Sequence, residues 1–210
     1  FPTRRSSDLP IKEVFSKLRP WESELKGVID VLCGFSTFSD AEVVQKIVGN
    51  SRHTEEQRDQ TRKFLISSIR RIGLVPELHE FKDQYDSGAN VFAILHSTTE
   101  TSEQNERVII VGAHFDSVKC QGADDNATGV AAVLRVAEEL RSMPRRCFAV
   151  VFVFFDIEEM GLVGSSKFVT YVQTRWQGRV HSVHTIDMCG FTTQQDRANE
   201  FVMAIKEPTH

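Results

Sequence analysis

No apolar stretch in these 210 residues approaches the roughly 18 that a membrane-spanning helix needs, so no membrane span is expected in this segment. Charge of one sign is equally scarce. Lys and Arg total 25 against 29 Asp and Glu, a formal net charge of -4. No basic block stands out beyond pairs such as Arg70-Arg71 and Arg145-Arg146, which read as solvated helix or loop ends. A nucleic-acid partner is therefore not expected. The four cysteines have no CxxC spacing. Cys33, Cys147 and Cys189 lie in apolar surroundings and are expected to be small buried thiols, whereas Cys120 sits in a loop rich in polar residues. No internal repeat, low-complexity segment or signal peptide is visible. Residues 1–10 (FPTRRSSDLP) have no periodicity and resemble translated vector sequence. They are expected to be a non-native or disordered leader and are set aside from the fold.

What is present suits one globular domain over 11–210. The chain is long enough for a sizeable core and too short for two comfortable ones. Trp21, Leu25, Val28, Ile29 and Leu32 share a helical face. Ser39 with Glu42 has the pattern of a capping box and predicts a helix through Val48, closed by Gly49-Asn50. A further helix is expected over Glu55 to Ile72, with Phe64, Leu65, Ile69 and Ile72 inward and Gly73 as its stop. Leu74–Phe81 and Asn90–His96 read as strands around Asp86-Ser87-Gly88. The β-branched run Arg107–Val111 and the wholly apolar run Phe148–Phe155 read as buried strands. Helices are expected over Ala127–Arg141 and Leu162–Val172. Val180–Ile186 and Phe201–Ile205 complete the strands. Strands alternating with helices predict an α/β fold: a three-layer sandwich with a central mixed, mostly parallel sheet flanked by helices.

Residues with chemistry gather where these strands end. His114 and Asp116 follow the Arg107 strand, Glu158-Glu159 follow Phe155, and Asp187 ends the strand Val180–Ile186. In open α/β sheets this carboxyl edge is where ligands bind. His114-x-Asp116 suits a metal ligand and the carboxylate that orients it. Asp124-Asp125-Asn126, between Gly122 and Gly129, exceeds what a helix cap requires and suits a carboxylate shared by two cations. Adjacent glutamates diverge, so one of Glu158 and Glu159 can hold a metal while the other faces its bound water as general base. Three such clusters on one edge point to a metal-dependent site.

The wording "VGAHFDSV", "GADDNATGVAAVLRVAEEL", "FVFFDIEEMGLVGSSKF" and "TIDMCG" resembles the co-catalytic dizinc aminopeptidase family, which includes glutamate carboxypeptidases and, more distantly, glutaminyl cyclases. The similarity spans roughly residues 40 to 190. It implies two Zn2+ ions, with His114 and Asp187 on one, Asp125 bridging both and Glu159 on the second. Asp116 would orient His114, and Glu158 would be the general base of peptide hydrolysis. It also implies a cis peptide at Asp125-Asn126 and a peptide substrate. An extracytoplasmic location follows from the resemblance alone.

One expected ligand lacks a counterpart. The pattern calls for another histidine well downstream of Asp187, and only the terminal His210 follows. His181 and His184 lie within a strand, and His53, His79 and His96 carry no motif. The expectation is a domain incomplete at its carboxyl end that holds at most one zinc well. An aminopeptidase is the leading reading. A carboxypeptidase or dipeptidase of the same family, a glutaminyl cyclase, and a non-catalytic ectodomain on the same fold stay open.

Overall fold

The chain's most apolar run, seven consecutive buried residues from Ala149 to Phe155, lies inside a sheet covered on both faces. The computed structural model describes residues 23–40, 43–47, 51–82, 87–99 and 105–190. Residues 23–32 form helix α1. The hairpin β1 (Phe38–Asp40) and β2 (Val43–Gln45) precedes α2 (Glu55–Ile72), β3 (Pro76–Lys82), β4 (Ser87–Leu95) and β5 (Val108–His114). A turn over Ala123–Thr128 leads into α3 (Gly129–Ser142), then β6 (Ala149–Phe155), α4 (Val163–Arg175) and β7 (Val180–Thr185).

Strands β3 to β7 form one mixed sheet in the order β3-β4-β6-β5-β7. β5 pairs in parallel with β6 and β7, while β4 runs antiparallel to both β3 and β6. Because side chains alternate across a strand, β6 feeds two cores. Val150, Phe152 and Phe154 meet Phe64, Leu65 and Ile69 of α2 and Val130, Val133 and Leu134 of α3. Ala149, Val151, Val153 and Phe155 meet Phe168 of α4 and Trp176. Helices therefore cover opposite faces of the sheet, giving the three-layer α/β sandwich. From β5 the chain crosses through α3 to β6 on one side, then through α4 to β7 on the other. The chain therefore leaves β5 and β6 towards opposite faces of the sheet, the topological switch point at whose carboxyl ends ligands commonly bind.

Local signals predicted α2 well. Thr54 caps it in a reciprocal box with Gln57, and Gly73 ends it at φ 84°, where only a residue without Cβ is unstrained. The helix expected from Ser39 to Val48 is instead the β1–β2 hairpin, in which Phe38 pairs with Gln45. Tertiary packing overrides the capping signal there. The Phe38 ring is buried and meets Phe64 edge-on at 5.4 Å, and the Ser67 hydroxyl donates to the Ser39 carbonyl. The strand expected at Leu74 begins at Pro76, and Ser87 and Gly88 belong to β4 rather than to a turn. Cys147 and Cys189 are exposed, not buried. Cys147 precedes β6 and Cys189 follows β7, so neither lies inside the sheet. Cys33 is buried and Cys120 exposed. The leader 1–10, Trp21, the helix end at Val48 to Asn50, the strand expected at Phe201–Ile205 and His210 lie outside the described residues.

Candidate metal centre

His114 is the last residue of β5 and is 4% exposed. Its Nε2 lies 3.0 Å from Asp125 Oδ1, 3.6 Å from Asp187 Oδ1 and 3.9 Å from Glu158 Oε2. His114, Asp125 and Asp187 each offer one ligand atom, all within 4.8 Å of one another. Three separate segments thus bring a nitrogen and two carboxylate oxygens to one point. This hard nitrogen-and-oxygen donor set fits Zn2+.

Asp116 joins the strand ends. Its Oδ1 sits 3.3 Å from His114 Nδ1 and accepts the Glu158 N–H at 3.0 Å, while Oδ2 accepts the Glu159 N–H at 3.1 Å. One buried carboxylate therefore contacts the histidine ring and holds the Glu158-Glu159 backbone. Glu159 stands apart from the group of three. Its carboxylate accepts the Val118 N–H and feels the charge of Asp125.

The Asp124-Asp125-Asn126 turn is more than a cap. Its backbone leaves helical angles at Asp125 and Asn126, with a cis peptide between them. Asn126 brackets Asp187: its Nδ2 donates to Ile186 O at 2.8 Å, and its Oδ1 accepts the Met188 N–H at 3.3 Å and the Gly129 N–H at 2.9 Å. Asp124 Oδ1 accepts the Gly190 N–H at 2.8 Å. So the residues beside Asp125 fix the end of β7, and Asp125 itself is left facing His114. Gly129 permits this approach, since a Cβ there would stand 2.2 Å from Asn126 Oδ1 and 2.6 Å from Ile186 O.

Beneath Glu158 lies a buried ion cluster with no counterpart in the sequence reading. Asp156 is fully buried and meets Arg62 Nη1 at 2.9 Å and Arg58 Nε at 3.1 Å, both from α2. It also accepts the N–H groups of Ala89 and Ile157. Burial raises its pKa to about 6 while Arg58 and Arg62 work to lower it, and the cluster anchors the segment entering Glu158. Asn90 Oδ1 accepts the Asp156 N–H, and Asn90 Nδ2 donates to Gly164 O, tying β4 to the start of α4.

The electrostatics call for a cation. Burial works to lower the His114 pKa, but the Asp116 hydrogen bond and the charges of Asp116, Glu158 and Asp187 prevail and raise it to about 9. Burial and crowding by neighbouring carboxylates raise Glu158, Glu159 and Asp187. Each group is shifted towards a form in which negative charge is neutralised, and a bound metal ion achieves the same end. Histidines elsewhere in the described chain do other things, His79 meeting Asn90 Nδ2 at 3.1 Å. His181 contacts Arg107 and stacks on Phe148, His184 meets Ser182 on the exposed edge of β7, and His96 pairs with Glu106.

Comparison with known proteins gives these features a context. The sequence pattern of Peptidase family M28 matches residues 90–205. The probable lipoprotein aminopeptidase LpqL of Mycobacterium tuberculosis is 48% identical over 63 residues, 30% of this chain and 13% of its own length. The LapA aminopeptidase of Legionella pneumophila superposes with a TM-score of 0.63 at 19% identity, over 86% of this chain and 46% of that one. A glutaminyl cyclase of Macrostomum lignano superposes with a TM-score of 0.61 at 20% identity, over 87% and 60%. At such identities the two structures share the fold and leave the reaction open. The matches span less than two thirds of each of these proteins.

Proposed function

The chain belongs to peptidase family M28, and from that membership we propose that it carries the metal-binding centre of a zinc-dependent exopeptidase, an aminopeptidase acting on peptide substrates. The observation that carries the reading is the convergence of His114, Asp125 and Asp187 within 4.8 Å, beside the Glu158 carboxylate. The aminopeptidase name of the LpqL relative supports this choice over a carboxypeptidase or cyclase. The lipoprotein in the same name supports an extracytoplasmic location. Among the described residues no helix is long and apolar enough to cross a membrane.

In this reading His114 Nε2, Asp125 and Asp187 would hold Zn2+, and Glu159 would be available to a second ion shared with Asp125. Bound there, zinc supplies Lewis acidity, lowering the pKa of a coordinated water and polarising the substrate carbonyl. The protein does the rest. Asp116 keeps the His114 ring turned so that Nε2 faces the site. Glu158 takes the proton of the attacking water on its carboxylate and returns it to the departing amine. Its pKa, raised first by burial and then by Asp116, Asp187 and Glu159, makes it a better proton acceptor than a free glutamate. We also read residues 11–210 as a single domain to which longer relatives add further parts.

Elemental analysis of zinc, with leucine p-nitroanilide hydrolysis followed in this chain and in any longer polypeptide carrying it, tests the reading. Zinc with cleavage supports an aminopeptidase. Zinc without cleavage in either polypeptide points to another peptide bond or to a cyclase. A chain that takes up no zinc sinks the centre.

A further inference from the structure

Arg52 is fully buried, with 0% of its surface exposed, and among the described residues no carboxylate pairs with it. Its donors go to main-chain carbonyls instead. Nε donates to Phe115 O at 2.6 Å, Nη1 to Leu32 O at 3.1 Å and Gln121 O at 2.5 Å, and Nη2 to Gly122 O at 3.0 Å. Its own backbone N–H donates to Ser117 Oγ at 2.9 Å, and that hydroxyl donates to Cys120 O. A guanidinium taken out of water is costly, and here its rigid fork spans the loop from Phe115 to Gly122.

The two ends of that loop are the two ends of the metal centre. Phe115 O lies between His114 and Asp116. Gly122 O also accepts the Ala127 N–H at 3.0 Å, which closes the turn carrying Asp125. Gly122 sits at φ 61°, and a Cβ there would stand 2.6 Å from Arg52 Nη2 and 2.4 Å from Asp125 O. The absent side chain is what lets the guanidinium reach this carbonyl. Arg52 thereby ties the end of β5 to the Asp125 turn, across which His114 Nε2 and Asp125 Oδ1 are 3.0 Å apart.

We infer that Arg52 is a positioning residue of the metal centre, setting the separation of His114 from Asp125 by gripping the carbonyls of Phe115 and Gly122. The role rests on the metal-centre reading above. Lysine keeps the charge but not the planar fork, so it cannot hold both carbonyls.

The test compares R52K and R52M with the unsubstituted chain. Zn2+ affinity is measured by competition with a chromophoric chelator, at a temperature where circular dichroism shows each chain folded. Amide exchange at Ala127 is followed in the same chains without metal. Leu65→Ala, a core change in α2 away from the site, serves as the stability control. The expected result is a 10–100-fold weaker zinc affinity for R52K, a larger loss for R52M, and faster exchange at Ala127 in both. Leu65→Ala should lower the melting temperature yet leave affinity within about twofold. The role is overturned if R52K binds zinc as tightly as the unsubstituted chain, or if Leu65→Ala weakens binding as much as R52K does. Failure of both arginine variants to fold also overturns it, making Arg52 a residue of the fold alone. An unsubstituted chain that binds no zinc sinks the metal reading and this role with it, whereas equal affinities sink the role of Arg52 only.

Discussion

His114 Nδ1 faces Asp116 Oδ1 at 3.3 Å, and the same carboxylate carries the Glu158 and Glu159 N–H groups. A single side chain therefore contacts both the histidine ring and the glutamate backbone. Asp116→Asn keeps the shape but points an amide donor at a site that needs an acceptor. Zinc affinity should fall 10–100-fold, and the His114 pKa should drop from about 9. Chelator competition and an NMR titration of the imidazole proton measure the two effects. An unchanged affinity would show that Asp116 serves the backbone alone.

Glu158→Gln separates base from ligand. It should retain zinc and, in a polypeptide that cleaves peptides, reduce kcat by about 10²–10⁴ or more. Zinc loss in parallel with activity would make Glu158 a ligand instead.

The proton on His114 competes with the metal. Below a pKa of about 9 the imidazole must lose that proton before Nε2 can bind zinc. Apparent affinity should rise about tenfold per pH unit up to that value and level off above it. Calorimetry in buffers of different ionisation enthalpy should record the proton released. Stability of the metal-free fold moves the other way. A base whose pKa rises on folding stabilises the fold fully below about 6.5 and loses that contribution as pH climbs to about 9. The loss is of order 3 kcal/mol, visible as a falling denaturation midpoint across that window. A midpoint flat over the same range would contradict the pairing of His114 with its carboxylates.

Asp156 is the shared buried counter-charge of Arg58 and Arg62. Its removal leaves Arg58 and Arg62 the exposed Glu55 and Asp59 as carboxylate partners, so Asp156→Ala should cost about 3 kcal/mol, the low end for a broken buried pair. Urea denaturation reads this directly. A cost below about 1 kcal/mol would mean that water reaches the two guanidiniums.

The sequence by itself determined the strands and what stands at their ends. Arg107–Val111 and Phe148–Phe155 are continuous apolar runs that only a sheet covered on both faces can hide. The positions of His114, Asp116, Glu158 and Glu159 were legible because each sits beside such a run, where the chain must leave the sheet, whereas Asp187 follows the largely exposed edge strand β7. α2 was legible from its caps and inward apolar stripe, because those signals lie within one helix. Other features were decided only in three dimensions. The Ser39–Glu42 pattern resembled a helix start, but burial of Phe38 against Phe64 outweighs one cap's contribution. Arg52 gave no signal, because its partners are carbonyls, which every residue has, lying 20 to 70 positions away along the chain. Asp156 is one carboxylate beside a glutamate pair until α2 brings Arg58 and Arg62 against it. Side-chain type and spacing record what is satisfied locally, whereas the burial of a charge and the partners that compensate it exist only once distant segments have packed.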